Sequence, residues 1–198
     1  MLNLYRLLIN LVLLISPLII ILRLIKKKEH PIRFKEKFCF FSKKNFFKKK
    51  LIWFHASSVG EILSIIPLIE KLEKNKFIVK ILITSTTLSS SKILLKYKLK
   101  KTIHQFFPID SKFFTERFLN YWRPSIAIFI ESEIWPNMII NIKKKNIPLV
   151  LLNARISNKS FKRWKLLNNF SNFLFKKFDL CFPQNNETKN YLNFLGAK

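Results

Sequence analysis

From residue 51 onward, short apolar runs alternate with longer stretches in which apolar residues recur every three to four positions. This pattern predicts strands that alternate with helices. Such alternation is typical of a parallel sheet with right-handed crossovers, and strands that are apolar at nearly every position are covered on both faces. The predicted strands are 51–55, 78–84, 126–130, 148–152 and 179–182, and the predicted helices are 61–74, 89–99, 111–120, 136–145, 160–177 and 186–195. The predicted fold is α/β, a Rossmann-like parallel sheet with helices on both faces over residues 51–198.

Each predicted strand runs into a polar turn. The carboxyl ends of parallel strands meet at one edge of the sheet, where open α/β folds bind ligands. We therefore expect three carboxylates, several hydroxyls and Arg155 to line one cleft. The turns are 57–61, 84–87, 131–133, 153–155 and 184–187.

The N-terminus carries a nearly uninterrupted apolar run that Arg6 and Arg23 bracket. As a helix, residues 7–22 would reach about 24 Å, a little short of the ~30 Å hydrocarbon core of a bilayer, and Pro17 would kink it. No small-residue cleavage site follows, and basic residues 26–28 favour the cytoplasmic side for the rest of the chain. We interpret residues 1–28 as an uncleaved membrane anchor that spans the membrane or lies in its interface. A buried core helix is the alternative.

Residues 29–50 interleave basic and aromatic side chains, as in 33–38 and 46–50. This composition fits an anionic membrane surface, which attracts each basic residue by about 1 kcal/mol. Single-stranded nucleic acid is the alternative, but no nucleic-acid-binding motif accompanies the segment, so no nucleic acid partner is expected.

The net charge of +26 also points to an anionic partner, namely nucleic acid, anionic lipid or a phosphorylated substrate. Part of the excess of Lys, Asn, Ile and Phe has a simpler explanation, because an AT-rich genome imposes it on any protein. Only two glycines occur in 198 residues. A glycine in such a chain is therefore expected where only glycine fits.

The cysteines and histidines have no metal-site spacing. Cys39 and Cys181 lie far apart, which favours a reducing compartment without a disulfide framework. The three histidines are scattered along the chain. The sequence therefore predicts neither a metal nor a cofactor.

The turn after the first predicted strand contains Gly60 and Glu61. Neither a P-loop nor a dinucleotide fingerprint is present. Ser58 and Glu61 have capping-box spacing, with Ser58 as N-cap, and a cap contributes about 1 kcal/mol without any further function. Alternatively, Glu61 points into the cleft as a general base, and the helix N-terminus would favour its ionised form.

A second acidic turn, with Glu131 and Glu133, follows the strand 126–130. Pro136 is well placed to begin the next helix, and a helix cap does not require both acids. Trp135 beside them is expected to pack on a sugar or, as is more frequent, on the core.

Several segments, taken in order, resemble the 3-deoxy-D-manno-octulosonic acid (Kdo) transferase family. They are His55-Ala56-Ser57-Ser58-Val59-Gly60-Glu61 with Ile66-Pro67-Leu68, Glu131-Ser132-Glu133-Ile134-Trp135-Pro136-Asn137, and Ile147-Pro148-Leu149-Val150 with Asn153-Ala154-Arg155-Ile156-Ser157. The hydrophobic N-terminus, the basic stretch 33–38, and Gln184-Asn185 leading to Leu195-Gly196-Ala197-Lys198 are similar to the family as well. The resemblance spans the whole chain.

The resemblance implies the N-terminal half of a GT-B glycosyltransferase, preceded by a membrane-anchor helix at the cytoplasmic side of the inner membrane. The family transfers Kdo from CMP-Kdo to the lipid A precursor, with inversion and no required metal. By the match, Glu61 would be the general base and Glu131 a second essential carboxylate. Residues expected to bind substrate are Ser58, Gly60, Glu133, Asn153 and Arg155.

The chain departs from the family in length, since members are about twice as long and carry the CMP-sugar site in a second domain. The C-terminal donor domain is therefore expected to be absent from these 198 residues. The alternative function is a truncated, catalytically inactive remnant that binds lipid at the membrane surface.

Overall fold

The computed structural model describes residues 1–43, 50–77 and 80–197. The aromatic and basic stretch 46–49 and the first two residues of the predicted strand 78–84 lie outside the described residues. The strands are β1 (Leu51–His55), β2 (Lys80–Ser85), β3 (Thr102–Phe106), β4 (Ile126–Ile130), β5 (Leu149–Ala154) and β6 (Leu180–Pro183). The helices are α1 (Leu2–Ile25), α2 (Val59–Lys74), α3 (Leu88–Leu94), α4 (Lys112–Trp122), α5 (Pro136–Lys144), α6 (Asn158–Leu166), α7 (Asn168–Phe175) and α8 (Asn186–Phe194), with a 3-10 helix at Arg33–Phe38.

The six strands form one parallel sheet in the order β3-β2-β1-β4-β5-β6. Helices α2 and α3 pack on one face, against Phe54, Ile81 and Ile83. Helices α4, α5 and α7 pack on the other face, which includes Trp53 and Phe129. This arrangement confirms the predicted α/β fold with helices on both faces. The strand order reverses between β1 and β4, so a crevice opens between their carboxyl ends.

Three elements differ from the prediction. The predicted helix 89–99 ends early, at Leu94. Strand β3 was missed because His104 and Gln105 interrupt its apolar pattern, although the strand pairs along its whole length with β2. The predicted helix 160–177 is two helices that meet at Leu167, whose backbone lies outside the helical region at φ −100° and ψ 34°. Asn168 and Asn169 follow, and asparagine competes with helix formation through its own backbone hydrogen bonds.

The expectation that each glycine occupies a position where only glycine fits is wrong for Gly60. Gly60 lies in the first turn of α2, and a Cβ there would meet only the Ser58 hydroxyl, at 3.9 Å. Gly196 does satisfy the expectation, with a φ of +86° and a would-be Cβ only 2.6 Å from the Asn172 side chain.

The 3-10 helix covers the edge strand β3. The buried Glu36 carboxylate accepts a hydrogen bond from the Phe106 backbone N–H at 2.8 Å. Arg33 donates to that carboxylate at 2.7 Å and to the His104 carbonyl at 2.9 Å. Burial and the Arg33 charge lower the pKa of His104 to about 3. These bonds satisfy backbone groups that an edge strand otherwise leaves unpaired.

Helix α1 lies at the protein surface. Pro17 is inside it but does not end it. Most of its apolar side chains are exposed, so α1 is not a core helix among the described residues, and the membrane anchor stays a prediction. Within the described residues, α1 is the one helix that is long and apolar enough to cross a membrane.

Candidate active site

The two acidic turns flank the crevice between β1 and β4. Glu61 follows β1 in the first turn of α2, and Glu131 and Glu133 follow β4 before α5 begins at Pro136. Because β1 and β4 are neighbours in the sheet, the topology places all three carboxylates at one end of one strand pair. The sequence predicted that these carboxylates meet at the carboxyl edge of the sheet, and the pairing of β1 with β4 is what brings their turns together.

Ser58 is the N-cap of α2, as the capping-box spacing predicted. Its hydroxyl accepts a hydrogen bond from the Glu61 backbone N–H at 3.2 Å. The Glu61 carboxylate reaches back and accepts from the Ser57 backbone N–H at 2.8 Å through Oε2. A carboxylate has two oxygens and about four acceptor positions, so this cap leaves capacity for a substrate hydroxyl.

The pKa of Glu61 is raised. Burial is the largest cause, and the negative charges of Glu133 and Glu131 add to it, while hydrogen bonds from Ser58 and Ser57 oppose it. The sequence had suggested that the helix N-terminus would favour the ionised form, but burial and the neighbouring carboxylates outweigh that effect. A carboxylate with a raised pKa binds a proton more tightly, which suits a general base near neutral pH.

Glu133 belongs to a buried chain of side chains that sequence reasoning missed. His55, fully buried at the end of β1, contacts Glu133 Oε2 through Nε2 at 2.9 Å and Thr84 Oγ1 through Nδ1 at 3.0 Å. Trp53 Nε1 donates to Thr84 Oγ1 at 2.9 Å, and Trp135 Nε1 donates to Glu133 Oε2 at 2.6 Å. The available signal was that His55 ends the apolar strand directly before the Glu61 turn.

Aromatic rings pack around these linked side chains. The His55 ring stacks on Phe107 with ring centroids 3.8 Å apart. Trp135 packs on Phe107 at 5.3 Å, so it joins the core rather than standing free in the cleft. Burial favours a higher pKa for Glu133, but the hydrogen bond and charge of His55, with bonds from Trp135 and Ser57, hold that pKa below its ordinary value.

The ends of β4 and β5 contain two residues in the left-handed region. Glu131 has a φ of +57° and Asn153 a φ of +53°. Asparagine tolerates this conformation, whereas glutamate adopts it at a cost of about 1–3 kcal/mol, and such residues cluster at functional sites. Glu131 N donates to the Leu152 carbonyl at 3.0 Å, and Arg155 N donates to the Glu131 carbonyl at 3.3 Å. These two bonds join the Glu131 turn to the end of β5.

The remaining candidate residues lie at the same edge. The Arg155 side chain is exposed, and the Ser132 hydroxyl donates to the Arg155 carbonyl at 2.5 Å. Gly60 is exposed in the first turn of α2. Among the described residues, no group of three or more His, Cys, Asp or Glu side chains could hold a metal ion.

The family model for 3-deoxy-D-manno-octulosonic-acid transferases (kdotransferases) matches residues 32–198. The chain belongs to this family. The match covers the sheet, both acidic turns and the 3-10 helix, so the family resemblance of the sequence is confirmed.

Named Kdo transferases are similar over most of this chain. The relative from Rickettsia bellii is 41% identical over 196 residues, which are 99% of this chain and 46% of the relative. The relative from Haemophilus influenzae is 29% identical over 180 residues, which are 89% of this chain and 42% of the relative. The chain therefore spans less than half of the length of these Kdo transferases.

A solved structure supports the fold. UDP-N-acetylglucosamine 2-epimerase from Rickettsia bellii aligns with 76% of this chain and 43% of its own, with a TM-score of 0.52 and 12% identity. The Kdo transferase match and the six-stranded parallel sheet together agree with the N-terminal half of a GT-B glycosyltransferase.

Proposed function

We propose that the chain is the acceptor-binding, base-carrying half of a glycosyltransferase that moves Kdo from CMP-Kdo to the lipid A precursor (lipid IVA) in lipopolysaccharide biosynthesis. One observation carries the proposal. In a chain of this family, Glu61 and Glu131 follow the two strands that flank the switch point of the sheet. Ligands of open α/β folds bind at that point.

In this mechanism Glu61 accepts the proton of the acceptor sugar hydroxyl. The hydroxyl oxygen then forms the new bond to the anomeric carbon of Kdo while the bond to CMP breaks on the opposite face, which inverts the configuration. Proton transfer requires a hydroxyl about 2.6–3.2 Å from the carboxylate. The raised pKa of Glu61 strengthens it as a base, and no metal or cofactor takes part.

The other candidate residues position the substrates. Glu131 is the second essential carboxylate, held in its left-handed turn by the end of β5. The edge of the cleft that binds substrate comprises Ser58, Gly60, Glu133, Asn153 and Arg155. Gly60 is exposed, and the lack of a side chain there would let a sugar approach the first turn of α2 closely.

The CMP-Kdo donor would bind to a second domain opposite this cleft. Residues 1–28 would anchor the enzyme at the cytoplasmic side of the inner membrane, and residues 29–50 would contact anionic lipid. The Rossmann-like unit 51–198 would bind the acceptor. The exposed apolar surface of α1 and the net charge of +26 support this membrane location.

A transfer assay tests the proposal. Membranes containing either residues 1–198 or a chimera that continues from Lys198 into the unmatched part of the Rickettsia bellii relative would receive CMP-Kdo and lipid IVA. We expect transfer by the chimera and no turnover by residues 1–198 alone. A folded, membrane-bound chimera without transfer would refute the proposal and favour the lipid-binding remnant. Turnover by residues 1–198 alone would show that a separate donor domain is not required.

The pH dependence of transfer gives a second test of Glu61. The Glu133 charge raises the Glu61 pKa, and only ionised Glu61 can accept the proton. Glu133→Gln removes that charge, so the Glu61 pKa should fall and the acid limb of the rate profile should move to lower pH. Glu70→Gln, an exposed glutamate on the same helix, should leave the profile unchanged. An acid limb that Glu133→Gln does not move would exclude this coupling.

A further inference from the structure

Helix α1 packs on the domain along one narrow face for almost its whole length. The buried or half-buried side chains on this face recur at spacings of three and four residues, which is a single helical stripe. They include Tyr5, Ile9, Leu13, Ser16, Ile20 and Arg23. From Tyr5 to Arg23 the stripe extends for about 27 Å. The helix therefore lies along the protein rather than projecting from it.

The partners of the first turns of α1 all lie at the carboxyl edge of the sheet. Tyr5 donates to Asp110 Oδ2 at 2.6 Å, and Arg6 Nε donates to Asn137 Oδ1 at 3.1 Å. Asp110 follows β3 and Asn137 follows β4. About two turns further along α1, Leu13 lines a cavity together with the first turn of α4, which begins at the same edge.

The last turn of α1 is fixed near the same edge. Arg23 Nε and Lys37 Nζ both donate to Oε2 of the buried Glu29, at 2.9 and 2.7 Å. The Lys37 carbonyl accepts from Ile109 N at 3.0 Å, just beyond the end of β3. Helix α1 thus crosses the edge of the sheet that also carries the acidic cleft.

The opposite surface of α1 is apolar and exposed. Its outward side chains are between 51% and 80% exposed, and they include Leu7, Leu11, Leu14, Leu18, Ile21 and Ile25. Three exposed lysines, 26–28, follow directly. An apolar helix surface next to a cationic cluster complements the acyl chains and the anionic headgroups of a lipid surface.

We propose that α1 lies in the plane of the membrane interface and does not cross the bilayer, so that the carboxyl edge with Glu61 and Glu131 faces the lipid surface. If α1 crossed the bilayer, the residues that pack on α1 would enter the hydrocarbon as well. The neighbouring N-terminal part of α4 includes the exposed charged residues Lys112 and Glu116, and charged groups are costly inside hydrocarbon. The in-plane arrangement keeps these groups among the headgroups.

This inference rests on the proposed membrane location and adds an orientation to it. The headgroup of a lipid acceptor would enter the cleft from the membrane plane, and its acyl chains would stay in the bilayer. The donor would then approach from the water on the other side. The orientation also predicts that the first turn of α4 touches lipid, through Phe113, which is 65% exposed.

Spin-label depth measurements test the orientation. In a Cys181→Ser background, whose remaining Cys39 is fully buried, the variants Leu7→Cys, Leu14→Cys and Ile21→Cys would each be spin-labelled at the introduced cysteine. They would then be bound to vesicles of phosphatidylethanolamine and phosphatidylglycerol. These positions share one face and span about 21 Å along the helix axis. We expect equal depths for all three labels. A crossing helix would place the Leu14 label about 10 Å deeper than the other two and would overturn the proposal.

Two further labels test which edge faces the membrane. Phe113→Cys at the carboxyl edge should report lipid, whereas Lys144→Cys at the end of α5 should report only water. The reverse result would overturn the orientation. Labels on α1 that are shielded from both lipid and water, together with a dimer in detergent, would assign the apolar surface to a second copy of the chain.

Failure of this inference can be distinguished from failure of the proposed function. A protein that does not bind these vesicles contradicts the membrane location itself. A protein that binds these vesicles but shows unequal label depths along α1 contradicts only the in-plane arrangement. The transfer assay with the chimera tests the chemistry independently of both outcomes.

Discussion

Glu61→Gln, introduced into the chimera, should lower the rate of Kdo transfer by about 10²- to 10⁴-fold, the usual contribution of a positioned general base. The amide has almost the same shape as the carboxylate but cannot accept the proton of the acceptor hydroxyl. The loss should appear in kcat at saturating substrates, measured as labelled Kdo incorporated into lipid.

Glu61→Gln also distinguishes the catalytic role of Glu61 from its role in capping α2. The Gln oxygen still accepts the hydrogen bond from Ser57 N, which Glu61 Oε2 accepts at 2.8 Å, so the unfolding free energy should change by less than about 1 kcal/mol. Glu70→Gln, an exposed control on α2, should retain both activity and stability. Full activity of Glu61→Gln would assign Glu61 to capping alone. Loss of activity together with loss of the fold would leave Glu61→Asp as the deciding variant, since it keeps a carboxylate and moves it by one methylene.

Local patterns in the sequence were sufficient for most of the fold. Strands such as 126–130 are apolar at every position because both faces of a parallel sheet are covered. The N-cap of α2 followed from the Ser58–Glu61 spacing and is present in the structure. The family resemblance added the reason to consider Glu61 and Glu131 together.

What the sequence did not reveal depends on contacts between distant residues. The link from His55 to Glu133 joins positions 78 residues apart and exists only because β1 and β4 are neighbours. Strand β3 was missed because His104 and Gln105 interrupt its apolar pattern, and the contact of Arg33 with His104 Nδ1 comes from a distant segment. The direction of the Glu61 pKa shift likewise depends on burial and on the Glu131 turn, which composition and spacing do not report.

Asp110 is another residue whose role the sequence did not reveal. Its substitution has the largest expected effect on stability. Asp110 follows the missed strand β3, so no pattern marked it. Its buried carboxylate accepts hydrogen bonds from Tyr5 Oη at 2.6 Å, Asn137 N at 3.0 Å and Met138 N at 2.8 Å. The last two are N–H groups in the first turn of α5, whose N-cap residue provides no side-chain cap. Asp110 therefore caps α5 from the loop that follows β3, and its bond with Tyr5 joins α1 to α5.

Asp110→Ala should lower the free energy of unfolding by about 2–6 kcal/mol, because it leaves the buried N–H groups of Asn137 and Met138 without an acceptor, at about 1–3 kcal/mol for each. Urea unfolding in detergent would measure the change. Tyr5→Phe is the matched control, since it removes only the hydroxyl that joins α1 to Asp110 and should cost about 1 kcal/mol. Equal losses for the two variants would mean that the bonds to α5 contribute nothing. A small loss for Tyr5→Phe together with unequal spin-label depths along α1 would instead show that this hydroxyl orients the helix without stabilising the domain.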